Sequence, residues 1–351
     1  MLTNKTTFLG DKPINRIGFG AMQLAGPGVF GPPDDAGAAR TVLRRAVELG
    51  VDHIDTAQYY GPDVVNELIR QALHPYPDDL KLVTKVGARR DATGGVLPAQ
   101  RPDELREGVE ANLRSLGVDR LDLVNLRLVD TGPGNAVDLE DQLGELEDLR
   151  QEGKLDLIGL SNVDRAKVQR ALESVQVAEI QNGYSIIDRQ DDEMVEFARE
   201  REIAFVPFFP LGSSFRGGAA RLAGVATIVE VADKHGATPT QIALAWLLAR
   251  YDRMLLIPGT RSVAHLEENM AAIEVELDDD DMAALDRVDQ RDDGARGGAP
   301  RRGRVAGESP SSGEDTSPGS GRTCDPCNKA RRFRSAEVPG EACRRRRRRQ
   351  A

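Results

Sequence analysis

The chain has 351 residues, with 47 lysines and arginines against 57 aspartates and glutamates and a formal net charge of −10 at pH 7. Residues 291–351 hold 16 of the basic and 8 of the acidic side chains, so residues 1–290 keep 31 basic and 49 acidic ones. An acidic body argues against a nucleic-acid-binding core, and the lack of an apolar run of about 20 residues or of an N-terminal signal stretch predicts a soluble, cytoplasmic protein without membrane contact.

The first predicted elements are a hairpin and a strand. Two apolar runs, residues 6–9 and 14–17, flank the turn signal Gly-Asp-Lys at 10–12 and predict an N-terminal β-hairpin. Residues 17–20 predict the first strand of a larger sheet. The loop that follows contains G-x-G-x-x-G at 26–31, but two prolines come next where a helix should open. We therefore reject a dinucleotide-binding fingerprint in this loop.

After this loop, strand-like apolar runs alternate with segments of helical periodicity. Eight strand-like runs in such an alternation predict an α/β fold, a closed (β/α)8 TIM barrel rather than an open sheet. The remaining strands are predicted at residues 51–54, 80–84, 121–126, 155–160, 177–180, 203–206 and 254–258, and helices at 39–50, 64–73, 102–117, 138–151, 164–174, 191–200, 238–248 and 262–273.

Polar side chains follow the second and third of these strands. Asp55 comes directly after the run 51–54, and Lys85 after the run 80–84. Because parallel strands place their carboxyl ends at one edge, we expect both side chains there, with Tyr60 close by. An ammonium held by a carboxylate favours the ionised form of a tyrosine, whose ordinary pKa is about 10, and so tunes it as a general acid. The pattern alone leaves a second interpretation open, in which Asp55 is a cap, Lys85 a solvated charge and Tyr60 a packing residue.

Several separated motifs resemble the aldo-keto reductases, a family of (β/α)8-barrel enzymes that reduce carbonyl groups with NADPH. The resemblance extends over residues 5–290, and the order of its motifs makes it far more specific than any single one. Within the family, G-A-M-Q-L-A-G-P-G-V-F-G-P-P, V-N-L-R and P-F-F-P-L-G look like the bacterial pyridoxal reductase branch. The motifs are D-T-A-Q-Y-Y-G at 55–61, L-V-T-K at 82–85, G-L-S-N at 159–162, Q-N-G-Y at 181–184, P-F-F-P-L-G at 207–212 and I-P-G-T-R at 257–261.

The resemblance implies a catalytic centre built on Asp55, Tyr60 and Lys85. The fourth catalytic residue of the family is usually a histidine at the end of the fourth strand, and Arg127 occupies that position here. Arginine can donate hydrogen bonds to a carbonyl oxygen, but its pKa above 12 prevents it from relaying protons. The Arg127 cation should also favour the phenolate of Tyr60.

The resemblance further implies that NADPH or NADP+ binds across the barrel mouth. No metal is expected, since the four aspartates at 278–281 are read as the start of a helix rather than as a metal site. Phe208 matches the aromatic ring that stacks on the nicotinamide. Ser161, Asn162 and Gln181 match the residues that bind the carboxamide, although strand-end capping would account for them without the family. The implied cofactor-binding set on this side of the site is Met22, Asp55, Ser161, Asn162, Gln181, Phe208, Pro210, Leu211 and Gly212.

The last loop is expected to bind the phosphate end of the cofactor. It opens a helix, where unpaired backbone N–H groups and the helix dipole favour an anion. Arg261 and His265 add a pocket that suits a 2′-phosphate, which predicts NADPH over NADH, whereas an ordinary surface helix start is the alternative. The implied set at this end is Gly259, Thr260, Arg261, His265, Glu268 and Asn269.

Residues 291–351 are rich in Arg, Gly, Pro and Ser and predict a disordered basic tail beyond a barrel domain at 1–290. The tail holds all three cysteines, Cys324, Cys327 and Cys343. Three thiols without a nearby histidine do not make a closed zinc site. The arginine run at 344–349 allows weak electrostatic binding of nucleic acid or anionic lipid, but such terminal blocks are usually solvated.

Together these expectations predict an NADPH-dependent carbonyl reductase whose substrate is a small aldehyde. The branch resemblance points to reduction of pyridoxal to pyridoxine, with Tyr60 as the general acid. Three alternatives stay open: another small aldehyde or ketone as substrate, a regulatory NADPH-binding barrel without turnover, and a nucleic-acid-binding protein that uses its basic tail.

Overall fold

The computed structural model describes residues 5–129, 137–213 and 217–288. The chain begins with an antiparallel hairpin of β1 (Thr6–Leu9) and β2 (Lys12–Asn15), as predicted, although β2 starts before the expected position. Leu9 and Ile14 pack in one buried cluster with Val83, Leu123 and other inward-facing residues of the sheet. The hairpin therefore covers one end of the barrel interior.

Seven parallel strands form one curved sheet in the order β10-β9-β8-β7-β5-β4-β3. Consecutive parallel strands with intervening helices are the architecture of the predicted (β/α)8 barrel. A further strand, β6, pairs antiparallel with β5 outside this order. The strands are β3 (Phe19–Gly20), β4 (His53–Asp55), β5 (Lys81–Arg90), β6 (Val96–Ala99), β7 (Leu121–Arg127), β8 (Leu155–Ser161), β9 (Val177–Gly183) and β10 (Ala204–Phe208).

The predicted eighth barrel strand is a short bridged segment, residues 254–257, which we call the closing segment. The N–H of Leu255 donates to the carbonyl of Phe205 at 3.0 Å, which joins the closing segment to β10. On its other side the N–H of Gly18 donates to the carbonyl of Leu256 at 2.8 Å. The ring is thus closed by isolated bridges, and Pro258, which has no N–H, ends the segment.

The helices surround the sheet, and their ends follow local signals. In α3, Pro102 occupies the first turn with two acidic residues, and Gly117 ends the helix with φ 71°. In α8, Thr238 and Gln241 form a capping box, which their spacing of three residues before an apolar run indicates. The helices are α1 (Ala36–Glu48), α2 (Val64–Leu73), α3 (Pro102–Leu116), α4 (Leu139–Gln151), α5 (Arg165–Ala171), α6 (Asp192–Glu200), α7 (Ala226–His235), α8 (Pro239–Arg250), α9 (Val263–Ala271) and α10 (Asp279–Leu285).

The antiparallel extension of β5 with β6 and the helix α7 were not predicted. The predicted tail at 291–351, with its cysteines and arginine run, lies outside the described residues. Within the described ranges no helix is both long and apolar enough to cross a membrane.

Candidate active site

A cavity of about 660 Å³ opens at the carboxyl ends of the barrel strands. Asp55, Tyr60, Lys85 and Arg127, the four residues expected to carry the chemistry, all line it. Parallel strands end at this edge, so residues that are far apart in the chain meet here.

Asp55 and Lys85 form a buried ion pair at the base of the cavity, with side-chain exposures of 6% and 4%. Asp55 ends β4, while Lys85 lies within β5, whose hydrogen-bonded register places Asp55 beside Val83. The Lys85 ammonium also donates to the carbonyl of Thr56 at 3.0 Å, and Gln181 Nε2 donates to the second carboxylate oxygen of Asp55 at 2.8 Å. Both charges are therefore paired and hydrogen-bonded, which buried charges require.

Tyr60 is 8% exposed, and the Lys85 ammonium lies 5.2 Å from the centroid of its ring. The turn after it depends on Gly61, whose φ is 86° and where a Cβ would approach the Val64 Cβ to 2.7 Å. Any larger residue at position 61 would displace the loop that carries the Tyr60 phenol.

Burial raises the pKa of Tyr60 above the ordinary value, and the Asp55 charge raises it further. Arg127 and Arg90 oppose this shift. The direction differs from the lowered pKa expected from the sequence, because desolvation of the phenolate outweighs the nearby cations. Tyr60 is therefore protonated at neutral pH, but in the absence of ligands it is a weaker acid than a free phenol, so release of its proton depends on cations that stabilise the phenolate.

Arg127 ends β7, and its Nη1 donates to Ser161 Oγ at 3.1 Å. Its guanidinium lies 4.8 Å from the centroid of the Phe208 ring. Among the described residues Arg127 forms no ion pair, so its charge is not neutralised by a carboxylate in that part of the chain.

The nicotinamide-side residues expected from the sequence divide into two groups. Ser161 is fully buried against Arg127 rather than part of the cavity wall. Asn162 has a φ of 59° and donates from Nδ2 to the carbonyl of Leu128 at 2.8 Å. The members that line the cavity are Met22, Asp55, Asn162, Gln181, Phe208, Pro210, Leu211 and Gly212.

Gln181 gives the clearest test of whether this wall suits a carboxamide. Its Nε2 is committed to Asp55, whereas its Oε1 is buried and has no hydrogen-bond partner within the described ranges. A buried acceptor without a partner is costly unless a ligand supplies a donor. The amide N–H₂ of a nicotinamide is such a donor, so the residues present fit the group.

The residues expected at the phosphate end lie around the start of α9. Gly259 lines the cavity, whereas the exposed Arg261 lies just beyond it and forms no ion pair with any described residue. Ser262 caps the helix by accepting from the N–H of His265 at 3.4 Å.

Three further residues of the set lie near this end. Thr260 and Asn269 are buried, and Glu268 accepts from Thr238 Oγ1 at 2.6 Å.

A deeper polar layer under the ion pair was not predicted. On the strand ladder Lys85 is the neighbour of Asn125, which is the neighbour of Gly159. Asn125 Nδ2 donates to Oε1 of the buried Glu179 at 2.7 Å, and a Cβ at Gly159 would lie 2.2 Å from Asn125 Oδ1. Burial raises the pKa of Glu179 to about 7. The glycine of the G-L-S-N motif thus leaves room for this amide–carboxyl contact.

Several wall residues were also missed, and some of them lie in the β5–β6 hairpin. Arg90 and Val96 line the cavity from this hairpin, and Tyr59 and Phe209 line it beside the expected Tyr60 and Phe208. The run D-A-T-G-G at 91–95, between two extended segments, is a turn signal that could have revealed the hairpin. Within the described residues no group of three or more His, Cys, Asp or Glu side chains could hold a metal ion.

The sequence is similar to those of known proteins over most of its length. The sequence model of a protein family, described as "Aldo/keto reductase family", matches residues 16–290. The pyridoxine 4-dehydrogenase of Escherichia coli (strain K12) is 50% identical over 289 residues, which cover 82% of this chain and 99% of that protein. An uncharacterized oxidoreductase of Schizosaccharomyces pombe is 37% identical over 292 residues, covering 83% and 92%.

Solved structures show the same fold. A thermostable aldo-keto reductase in complex with the inhibitor epalrestat aligns with a TM-score of 0.69 at 30% identity, over 82% of this chain and 99% of that one. An aldo/keto reductase from Klebsiella pneumoniae, in complex with NADP and acetate, aligns with a TM-score of 0.67 at 25% identity, over 85% and 97%.

Proposed function

The chain belongs to the aldo/keto reductase family, and we propose that it reduces pyridoxal to pyridoxine with NADPH. Its substrate class is a small carbonyl compound, as the family implies. One observation carries the proposal: the buried Asp55–Lys85 pair and the Tyr60 phenol line a single cavity in a chain that is 50% identical to a pyridoxine 4-dehydrogenase.

Tyr60 is the proton donor in this proposal. Its raised pKa keeps the phenol protonated at neutral pH. Reduction leaves negative charge on the carbonyl oxygen, and this oxygen takes the Tyr60 proton. The Lys85 ammonium, fixed by Asp55 and by the Thr56 carbonyl, lies near the Tyr60 ring and stabilises the phenolate that remains.

Arg127 stabilises charge in the same step. Its guanidinium reaches the cavity while one Nη1 hydrogen is held by Ser161, so other N–H groups are available for the substrate. We assign these donors to the carbonyl oxygen or to the neighbouring phenolate of pyridoxal. Because arginine stays protonated, Arg127 takes no part in proton transfer.

NADPH, when bound, supplies the hydride that reduces the carbonyl carbon. The Gln181 Oε1 atom has no hydrogen-bond partner among the described residues, which supports the assignment of Gln181 to the carboxamide, and Asn162 lies on the same wall. Phe208 offers an aromatic surface beside them. Arg261, at the start of α9, forms no ion pair with any described residue, which supports binding of the 2′-phosphate there.

The test is the consumption of NADPH in the presence of pyridoxal, a series of small aldehydes and a series of ketones. Pyridoxal is expected to give the highest kcat/KM. Tyr60→Phe should lower kcat by about 10²- to 10⁴-fold, because it removes the general acid. Tyr59→Phe is the matched control, since Tyr59 also lines the cavity and its ring lies 5.3 Å from that of Tyr60.

The proposal has two separable parts. Full activity of the Tyr60→Phe variant would show that Tyr60 is not the general acid. Turnover of other aldehydes without pyridoxal would leave the carbonyl reductase in place and change only its substrate.

A further inference from the structure

The β5–β6 hairpin forms one wall of the cavity and is held in a defined shape. Arg89 and Arg90 pair with Leu97 and Val96 at its outer end. The turn is fixed by Asp91 Oδ1, which accepts from the N–H of Gly95 at 2.9 Å and from the neighbouring threonine. The side chains that the hairpin presents to the cavity are therefore placed by a rigid element.

Arg90 is the charged residue that this wall presents. Side chains alternate along a strand, and here Arg89 is exposed whereas Arg90 is half-buried and lines the cavity. Its Nη1 donates to the carbonyl of Gly94 at 2.7 Å and its Nε to that of Tyr59 at 3.4 Å. These two contacts use only part of the five N–H donors of a guanidinium.

The charges that line the cavity do not balance. Lys85 is neutralised by Asp55, which is the one carboxylate in the described cavity wall. Arg90 and Arg127 form no ion pair with any described residue. Arg90 Nε donates to the carbonyl of Tyr59, the residue before Tyr60, and Arg127 lines the same cavity. The cavity wall therefore carries two guanidinium charges that no described carboxylate neutralises.

We propose that Arg90 acts with Arg127 to bind an anionic group next to the carbonyl, so that this reductase selects aldehydes that carry a phenolate or carboxylate beside the aldehyde carbon. The proposal rests on the proposed function, and it names the substrate class of that site. Pyridoxal belongs to this class, because its ring hydroxyl lies adjacent to the aldehyde and ionises readily. Arg90 is a specificity residue in this scheme, and the proton still comes from Tyr60.

The test compares substrates that differ in charge. Wild type, Arg90→Gln, Arg90→Lys and the control Arg89→Gln are assayed with pyridoxal, 2-carboxybenzaldehyde and benzaldehyde. A charge-assisted hydrogen bond contributes about 1.5–3 kcal/mol, so Arg90→Gln should lower kcat/KM for the two anionic aldehydes by roughly 10- to 150-fold, chiefly through KM. The value for benzaldehyde should change by less than about threefold, and Arg90→Lys should restore part of the loss.

The outcomes separate this inference from the proposed function. Equal losses for charged and neutral aldehydes, together with a lower melting temperature, would show that Arg90 only fastens the hairpin and would overturn the inference. No effect of Arg90→Gln, or a wild-type enzyme without preference for the carboxylated aldehyde, would overturn it as well. Selective reduction of 2-carboxybenzaldehyde that depends on Arg90, without reduction of pyridoxal, would support the inference and reject pyridoxal as the substrate.

Discussion

Asp55 and Lys85 are opposite charges buried at the base of the cavity, and each depends on the other. Removal of either partner would leave an uncompensated charge in a region of low dielectric, which is strongly destabilising. Gln181 and the Thr56 carbonyl supply the additional hydrogen bonds. The same contacts hold the ammonium near the Tyr60 ring, so the residues proposed for catalysis also stabilise the fold.

Glu179 is a second buried carboxyl, and its titration is coupled to folding. Burial raises its pKa to about 7, while the hydrogen bond from Asn125 partly opposes the shift. The Asp55 charge raises it and the Lys85 charge lowers it. Near neutral pH both forms of the Glu179 carboxyl are therefore populated, in the layer beneath the Asp55–Lys85 pair.

We expect Glu179 to make the protein less stable as the pH rises from about 5 to 8. At pH values between the pKa of Glu179 in the unfolded chain and its higher pKa in the native protein, the native state holds a proton that the unfolded state has lost. The free energy of unfolding therefore falls by up to about 1.4 kcal/mol for each pH unit of increase. Glu179→Gln should flatten this dependence. Urea unfolding of both proteins at several pH values measures the difference, and parallel curves would contradict the prediction.

At the level of elements, short-range signals set the helix ends while long-range pairing shapes the cavity wall. The capping box of α8 was readable because Thr238 and Gln241 are three residues apart. The β5–β6 hairpin was overlooked, since β5 was expected to end at the sheet edge. Its extension beyond Lys85 carries Arg90 into the cavity.

The α8 cap also contacts Glu268, one of the residues proposed to bind the adenine and phosphate end of the cofactor. Thr238 Oγ1 accepts from the N–H of Gln241 at 3.2 Å and donates to Glu268 at 2.6 Å. Thr238→Ala should lower the free energy of unfolding by roughly 0.5–2 kcal/mol, because the cap is lost. Chemical denaturation measures the effect, and Thr238→Ser, which keeps the hydroxyl, is the control. A stability equal to wild type would show that the cap contributes nothing.

At the scale of the whole molecule, the family match covers the barrel and ends at residue 290. The E. coli relative aligns over 99% of its own length with 82% of this chain. We therefore propose that residues 1–290 form the catalytic unit and that residues 291–351 are an appendage to it.

A chain that ends at residue 290 should keep its activity. Its free energy of unfolding is expected to change by less than about 0.5 kcal/mol, because the barrel makes its own core. Denaturation and NADPH consumption compare the truncated and full chains. Loss of folding or turnover on truncation would contradict the division, whereas a salt-dependent binding of nucleic acid that disappears with the tail would assign a role to it.

The sequence by itself predicted the barrel and the residues that line the centre of its cavity. Strand and helix periodicity, turn residues and strand-end polar residues are local patterns, so Asp55, Tyr60 and Lys85 could be placed at one edge, and the family motifs added Arg127 and the cofactor loop. Phe208 and Gln181 followed from the same motifs.

The tertiary structure decided what depends on burial and on strand register. The raised pKa of Tyr60 follows from desolvation, which the sequence does not display. The Glu179–Asn125 contact follows from the alignment of β7 to β9, and the place of Arg90 from the length of β5. These features arise from contacts between residues that are distant in the chain, and only the closed barrel brings them together.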